Sequence, residues 1–331
     1  MKIKEIIGID VSKLSLDVRL HLREESARFD NDPDGIVRML NWIEKISGLD
    51  KEELFFVFEH TGLYSYQLAR ELARLGIAYT MEPGLAVKRS LGITRGKDDK
   101  IDAKKLALYG YRLRDELTAY QLADKEIQQL QRLLKLRDRM VKQRSGYKAS
   151  LQEQKRVLDH HEYQLVLDVQ RQLISQLSEQ IKKVESKIKA IIKTNTRLKS
   201  LYKLITSVKG VGSQTAYHLI VFTHGFTRFK TWRAFASYCG TAPFPYQSGT
   251  SIRGKSKVSH LANKKIKSLL DLCAKSAIQH DPQLKEYYQR KLNQGKEKMC
   301  VINTVRNKIL ARIFAVVERK NPYVDTYKFA A

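Results

Sequence analysis

Cysteine is scarce in this chain, with three in 331 residues. Cys239, Cys273 and Cys300 lie far apart and form no C-x-x-C motif, so neither a disulfide framework nor a zinc site is indicated; reduced, buried thiols are the expectation. Long apolar runs are missing too. No stretch approaches the roughly 20 residues that a bilayer-spanning helix needs, and Met1 leads into a strand-like pattern with no apolar signal core. A soluble protein of the cytoplasm, with no membrane partner, is expected. The third absence is local. Between Ser186 and Leu270 stand 16 Lys and Arg and not one Asp or Glu.

That gap is the extreme of a lopsided charge map. Residues 1–110 hold 18 basic and 18 acidic side chains and are neutral, so residues 111–331, with 43 against 17, carry the entire net charge of +26. A solvated helix face interleaves both signs. Segregation on this scale points to a polyanion, and nucleic acid fits because its phosphates release counterions on meeting Lys and Arg. A membrane surface fits less well, since the cations are spread over a whole domain and not along one amphipathic helix. The length allows about two domains.

The first third alternates strand and helix patterns. Residues 3–9 (IKEIIGI) read as a buried strand that delivers Asp10 at its end, and Ser15 to Leu22 alternates as a hairpin partner. Pro33 opens a helix with Ile36, Leu40, Ile43 and Ile46 on one face. Leu54 to Phe58 (LFFVF) is a central strand covered on both faces, ending in Glu59. Tyr66 to Leu75, Ile77 to Met81 and Leu85 to Leu91 follow as helix, strand and helix. The result is an α/β domain with a mixed sheet, and Asp10 and Glu59 both stand at strand exits, where ligands of open α/β sheets bind.

Next comes Gly96-Lys97-Asp98-Asp99-Lys100-Ile101-Asp102-Ala103, acids at the start of a helical pattern. Asp99 and Asp102 share a helix face, close enough to share a divalent cation. Asp98 and Asp102 do so as well, and acids in a first turn also complement the helix dipole.

From Asp124 to Asn195 the chain reads as long polar helices. Leu167, Ile174, Leu177, Ile181, Val184, Ile188 and Ile191 fit alternating heptad positions, with Gln170 the exception, as in a coiled-coil arm that pairs two subunits. A helical hairpin packed on its own domain satisfies the same pattern. Beyond Leu201 the chain is mostly helical and basic. Lys209-Gly210-Val211-Gly212-Ser213 is a G-x-G turn between helices, resembling the helix-hairpin-helix clamp on a nucleic-acid backbone. After Pro243 and Pro245 lies a polar loop, Gln247-Ser248-Gly249-Thr250-Ser251-Ile252-Arg253-Gly254-Lys255, followed by Lys257. No acid lies nearby in sequence to orient His218, His224 or His260, so a hydrolase triad is not supported. Val301 to Val317 reads as a helix with Arg306, Lys308 and Arg312 on a basic outer face, and Tyr238, Tyr246, Tyr287 and Tyr288 are candidates for stacking on bases.

GIDVSK (Gly8 to Lys13), FEHTGLY (Phe58 to Tyr64), DDKIDAKKLA (Asp98 to Ala107) and FASYCGTAP with QSGTSIRGK (Phe235 to Lys255) stand together in one order. In these motifs the chain closely resembles the DEDD transposases of bacterial insertion sequences, the bridge-RNA-guided recombinases, over nearly its whole length. The resemblance implies a RuvC-like domain of the ribonuclease H class over 1–120, a helical coiled-coil arm over 121–200, and a transposase domain over 201–331 with a helix-hairpin-helix-like motif and a serine loop. It implies a Mg²⁺ or Mn²⁺ site held by Asp10, Glu59, Asp99 and Asp102, choosing Asp99 over Asp98, and Ser248 as a nucleophile that forms a phosphoserine link to DNA. Nucleic-acid contacts are expected from Lys209, Gly210, Gly212, Ser213, Gln247, Thr250, Ser251, Arg253, Lys255 and Lys257. The implied partners are donor and target DNA, an element-encoded noncoding bridge RNA, and further copies of the chain in a dimer or tetramer, all in a bacterial cytoplasm. Val258 to Asn263 departs from the pattern, lacking the more basic, glycine-containing turn expected there. Two other readings compete, a metal-dependent RuvC-like nuclease or Holliday-junction resolvase with no covalent intermediate, and a non-catalytic nucleic-acid scaffold.

Overall fold

A computed structural model describes residues 3–91, 99–158, 162–248 and 252–325; the side chains of residues 91, 99, 100, 248, 252, 253 and 255 lie outside that description. The chain forms two compact units, Met1–Leu122 and Ala123–Ala331. No described helix is long and apolar enough to cross a membrane.

The first unit holds a five-stranded sheet of β1 (Glu5–Val11), β2 (Ser15–Leu20), β3 (Ser26–Asp30), β4 (Leu54–Glu59) and β5 (Ala78–Glu82), in the order β3-β2-β1-β4-β5. Strand β1 pairs antiparallel with β2 and parallel with β4, and β4 parallel with β5, so the sheet is mixed, as expected, and consistent with the ribonuclease H-like class. Helices α1 (Pro33–Ser47), α2 (Tyr64–Arg74), α3 (Gly84–Leu91) and α4 (Asp99–Arg112) complete the unit. Pro33 opens α1 while the Asp32 carboxylate accepts from the Gly35 N–H at 2.6 Å, a first-turn cap that the sequence signals directly. Strand β3 is an addition to the sequence reading. Its residues alternate exposed and half-buried along an edge, without the apolar signal of a covered strand.

Side chains of a strand alternate between faces, and the core divides accordingly. Ile7, Ile9 and Val11 of β1, with Phe56 and Phe58 of β4, pack beneath Ile36, Met39, Leu68 and Leu72 of α1 and α2. Ile6, Phe55 and Val57 face the other way, toward Val87 of α3 and Leu106 and Tyr109 of α4. Positions 8 and 10 of β1, 59 of β4 and 82 of β5 therefore belong to the face that α3 and α4 cover.

The second unit begins with α5 (Lys125–Val157) and α6 (Gln164–Thr194). Arg137 donates to Glu185 at 2.7 Å, Arg144 to Ser178 at 3.2 Å and Gln170 to Gln154 at 2.6 Å, a nearly constant register sum that defines an antiparallel hairpin. Each aliphatic position of the α6 seam, from Leu167 to Ile191, is buried or half-buried. At the base, Ile127, Leu130, Leu134, Ile188, Ile191 and Ile192 join one core with α7 (Thr196–Ser207), α8 (Ser213–Phe222), α9 (Trp232–Cys239), α10 (Lys264–His280), α11 (Pro282–Asn293) and α12 (Lys298–Arg319). Cys239 and Cys273 are buried in it, but Cys300 is exposed near the start of α12, against the expectation for all three.

Candidate active site and nucleic-acid interface

The carboxylates at the sheet's edge are positioned by the pleat. Ile9 of β1 is in register with Phe58 of β4, so Asp10, the last residue but one of β1, and Glu59, the last of β4, stand side by side on neighbouring parallel strands on the face toward α4. Helix α4 reaches the sheet because Gly8 has no side chain: a Cβ there would stand 2.3 Å from the Ala103 carbonyl oxygen and from the Ala107 nitrogen. Gly110 likewise leaves no room for a side chain, a Cβ there standing 2.6 Å from a Val57 methyl and 2.8 Å from an Ile6 methyl. Asp102 adjoins Ala103, and Asp99 is the first residue of the same helix.

Asp102 is half-buried and accepts a hydrogen bond from the Lys105 ammonium at 2.9 Å. The Glu59 carboxylate lies where a Cβ on Gly84 would be, at 2.2 Å, and so sits at the N-terminus of α3, where the helix dipole favours negative charge. Asp98 lies outside the described residues, as does the side chain of Asp99. Among the described residues no three His, Cys, Asp or Glu side chains stand close enough together to hold a metal ion. In kind, the donor set suits a hard divalent cation, being all carboxylate oxygen, and Lys105 already places a cation on Asp102.

Glu82 was missed by the sequence reading. It ends β5 in register with Glu59, and its Oε1 accepts from the Thr80 hydroxyl at 2.9 Å. Burial, together with the charge of Glu82 and a hydrogen bond to it, pushes the Tyr109 phenol of α4 up to about 12. The signal was available: Glu82 closes its strand as Glu59 closes β4.

The basic unit carries the second group of expected residues. The Gln247 to Lys255 segment is not simply a loop. Strands β6 (Pro243–Ser248) and β7 (Ile252–Val258) form an antiparallel hairpin with Ser248 opposite Ile252 at its end and a register irregularity between Phe244 and Tyr246. Both strands are edges, so Pro243 and Pro245 are tolerated. Gln247 and Lys257 are exposed on the ribbon. Arg253 and Lys255 belong to β7, their side chains outside the description along with that of Ser248, and Thr250 and Ser251 lie outside the described residues altogether. Tyr246 is 67% exposed, whereas Tyr238 packs in a cluster with Phe222, Phe229 and Phe235 and the Tyr287 ring has the Lys308 ammonium 4.4 Å from its centre.

The G-x-G turn joins α7 to α8. Gly210 adopts φ 86°, and a Cβ there would stand 2.8 Å from Ala277 of α10, so this glycine serves packing. Gly212 faces open space as the residue before α8, Ser213 exchanges a hydrogen bond with the Tyr202 hydroxyl at 2.7 Å, and Lys209 is paired with Asp325. His218 does have an acid partner, though a distant one in sequence. Its Nε2 lies 3.4 Å from Asp138 of α5, which Lys265 of α10 also approaches at 2.8 Å. Burial opposes the charge on Asp138, and the hydrogen bonds from His218 and Lys265 outweigh it, holding its carboxyl down at about 2. With a lysine completing it, this is an ionic junction between helices.

A mixed sheet edged with carboxylates is followed in the chain by a basic helical unit, and comparison with known proteins gives the class: a DNA transposase or recombinase. Residues 7–161 match the DEDD transposase model of the IS110 type, and residues 202–289 match the model described as the transposase IS116/IS110/IS902 family. It is similar to the pilin gene-inverting proteins of Moraxella lacunata and Moraxella bovis, each 27% identical over 334 residues that span 97% of this chain and 98% of the relative. It is also similar to an insertion element IS110 uncharacterized 43.6 kDa protein of Streptomyces coelicolor, 30% identical over 144 residues, 44% of this chain and 34% of that protein. The DEDD domain implies use of a divalent metal.

Proposed function

We propose that this enzyme cuts and rejoins DNA with a carboxylate metal site and a serine nucleophile. Asp10, Glu59, Asp99 and Asp102 of a RuvC-like domain (1–120) act with Ser248 of the transposase domain (201–331), and residues 121–200 form the connecting arm. The observation that supports the reading is that Asp10 and Glu59 lie on neighbouring strands on the sheet face toward α4, the helix that carries Asp102, while the serine lies in the acid-free stretch of the other unit. These acids would hold Mg²⁺ or Mn²⁺. When bound, such a cation supplies charge stabilisation at the phosphodiester and at the departing oxygen.

The Ser248 hydroxyl attacks phosphorus. A serine–phosphorus bond forms as the bond to the departing DNA oxygen breaks, and the proton lost by serine is balanced by the one gained by the released DNA hydroxyl. One phosphodiester replaces another, so rejoining needs no outside energy source. Lys209, Gly210, Gly212 and Ser213, with Gln247, Thr250, Ser251, Arg253, Lys255 and Lys257, contact the nucleic-acid backbone from a sequence stretch without Asp or Glu, Lys209 exchanging its Asp325 partner for phosphate. Donor and target DNA are selected by pairing with a noncoding RNA, the protein holding backbone and shape. The pilin gene-inverting relatives of Moraxella add inversion of a DNA segment to insertion and excision as an outcome of the same chemistry.

Two copies or four hold the DNA duplexes. Support for association through the arm comes from its tip, where Val157, Leu165, Val166 and Val169 are exposed, Leu165 at 77%. The reading is tested by purifying the full chain with its bound nucleic acid, sequencing the RNA and assaying DNA cleavage. Structured RNA with stretches complementary to the cleaved DNA, and cleavage that requires a divalent cation and is lost in Asp10→Asn, Glu59→Gln and Asp102→Asn, are expected. Metal-independent cleavage contradicts the acid site, and absence of a specific RNA contradicts guidance.

A further inference from the structure

We propose that Asn303 and Asn307 of α12 are positioning residues for the serine hairpin, holding the root of β6 through the carbonyl of Thr241. The inference rests on the role given to Ser248 above. Thr241, fully buried, lies two residues before β6. Its carbonyl oxygen accepts from Asn303 Nδ2 at 2.8 Å and from Asn307 Nδ2 at 3.0 Å, which uses both lone pairs. Its N–H and its hydroxyl both donate to the Ala236 carbonyl, at 2.9 and 3.3 Å. The two asparagines stand four apart and so share a face of α12. Between them Arg306, 7% exposed, is paired with Asp271 of α10 and lies 3.4 Å from Asn303 Oδ1, which fixes the rotation of α12 against α10.

The other root of the ribbon is fastened as well. Asn263 donates its side-chain amide to the Tyr238 hydroxyl and its backbone N–H to the Tyr238 carbonyl, both at 2.9 Å. Beyond the roots nothing comparable is seen among the described residues: Phe244 and Tyr246 are exposed, and a two-stranded ribbon has little stability of its own. Its direction is therefore set where it joins the helices. At about 3.3 Å per residue, Ser248 stands roughly 20 Å beyond Thr241, so a tilt of about 3° at the root displaces the serine by about 1 Å. A displacement of that size costs on the order of 100-fold when a nucleophile must meet its target in line. Asn303 and Asn307 lie outside both matched transposase segments.

The test uses full-length protein with its co-purified nucleic acid. Asn303→Ala, Asn307→Ala and the double variant are compared with wild type for the single-turnover rate of covalent DNA–protein formation at saturating DNA and metal, for DNA affinity, and for amide exchange at Phe244, Tyr246, Gln247 and Ser248. The double variant is expected to slow covalent formation by about 10- to 100-fold. DNA affinity stays unchanged, exchange in β6 accelerates, and each single variant falls between. If the double variant does not fold, the single variants decide. An unchanged saturating rate overturns the proposal, and so does a fall matched by Ile309→Val, which loosens α12 without touching Thr241. Wild type that forms no Ser248-linked product overturns this proposal together with the serine reading; wild type that forms it, beside unaffected variants, overturns this proposal alone.

Discussion

Gly8 of β1 and Ala103 of α4 meet backbone to backbone, with only 2.3 Å between the Ala103 carbonyl oxygen and the place a Cβ on Gly8 would take. Neither partner can give way as a flexible side chain does. Gly8→Ala is expected to lift α4, and Asp102 with it, off the sheet. The predicted cost is about 1–3 kcal/mol of stability in the first unit, with loss of metal-dependent cleavage beyond what unfolding explains. Thermal melting and a cleavage assay on the same sample check both parts.

Lys105 sets a charge against metal binding. Its ammonium, 2.9 Å from Asp102 Oδ1, competes for the carboxylate that the metal site requires. Lys105→Met should lower the Mg²⁺ concentration for half-maximal cleavage by about two- to fivefold, the worth of one partly exposed ion pair. A metal titration of the cleavage rate reads this directly, and an unchanged or raised requirement would show that Lys105 serves elsewhere.

The Asp138 junction predicts a pH dependence of stability. The carboxyl titrates lower in the folded chain, at about 2 against an ordinary 3.8, so its pairing with His218 and Lys265 stabilises the fold above that range. The contribution fades as pH falls from about 3.8 toward 2. Asp138→Asn is expected to cost about 1 kcal/mol at neutral pH, solvent screening reducing the worth of a partly exposed pair, with the gap from wild type closing below pH 4. Denaturation curves across pH 2–7 measure it.

Leu165 and Val169 at the arm tip are 77% and 45% exposed. If the tip joins subunits, Leu165→Glu with Val169→Glu should halve the mass seen by light scattering while leaving the melting temperature within a few degrees. A mass that does not change places the contact elsewhere.

Most of the first unit was legible because its signals are local. Buried strands such as Leu54–Glu59 announce themselves by unbroken apolar runs, and the carboxylate that ends each run falls at the sheet's edge. Asp124 and Asn195 bracket the long helical hairpin as its sequence signals suggested. What escaped lacked a local signal or lay across sequence. Strand β3 is a half-exposed edge, and β6 and β7 are hidden by Pro243, Pro245 and a run of Ser, Gly and Thr, residues that read as loop. Asp138 reaches His218 across 80 positions, and Asn303 reaches Thr241 across 62, distances at which sequence pattern carries no information.

The central claim is that Ser248, in the acid-free stretch, becomes joined to DNA by a reaction that needs acids of the other unit. The direct measurement is to incubate the full chain and its nucleic acid with end-labelled DNA and divalent metal, quench in denaturant, and look for label on the protein. Label is predicted for wild type, located by peptide mapping to Ser248. It should be absent from Ser248→Ala, which still binds nucleic acid, and from Asp10→Asn. DNA that is cleaved without ever appearing on the protein, or label that persists in Ser248→Ala, contradicts the account.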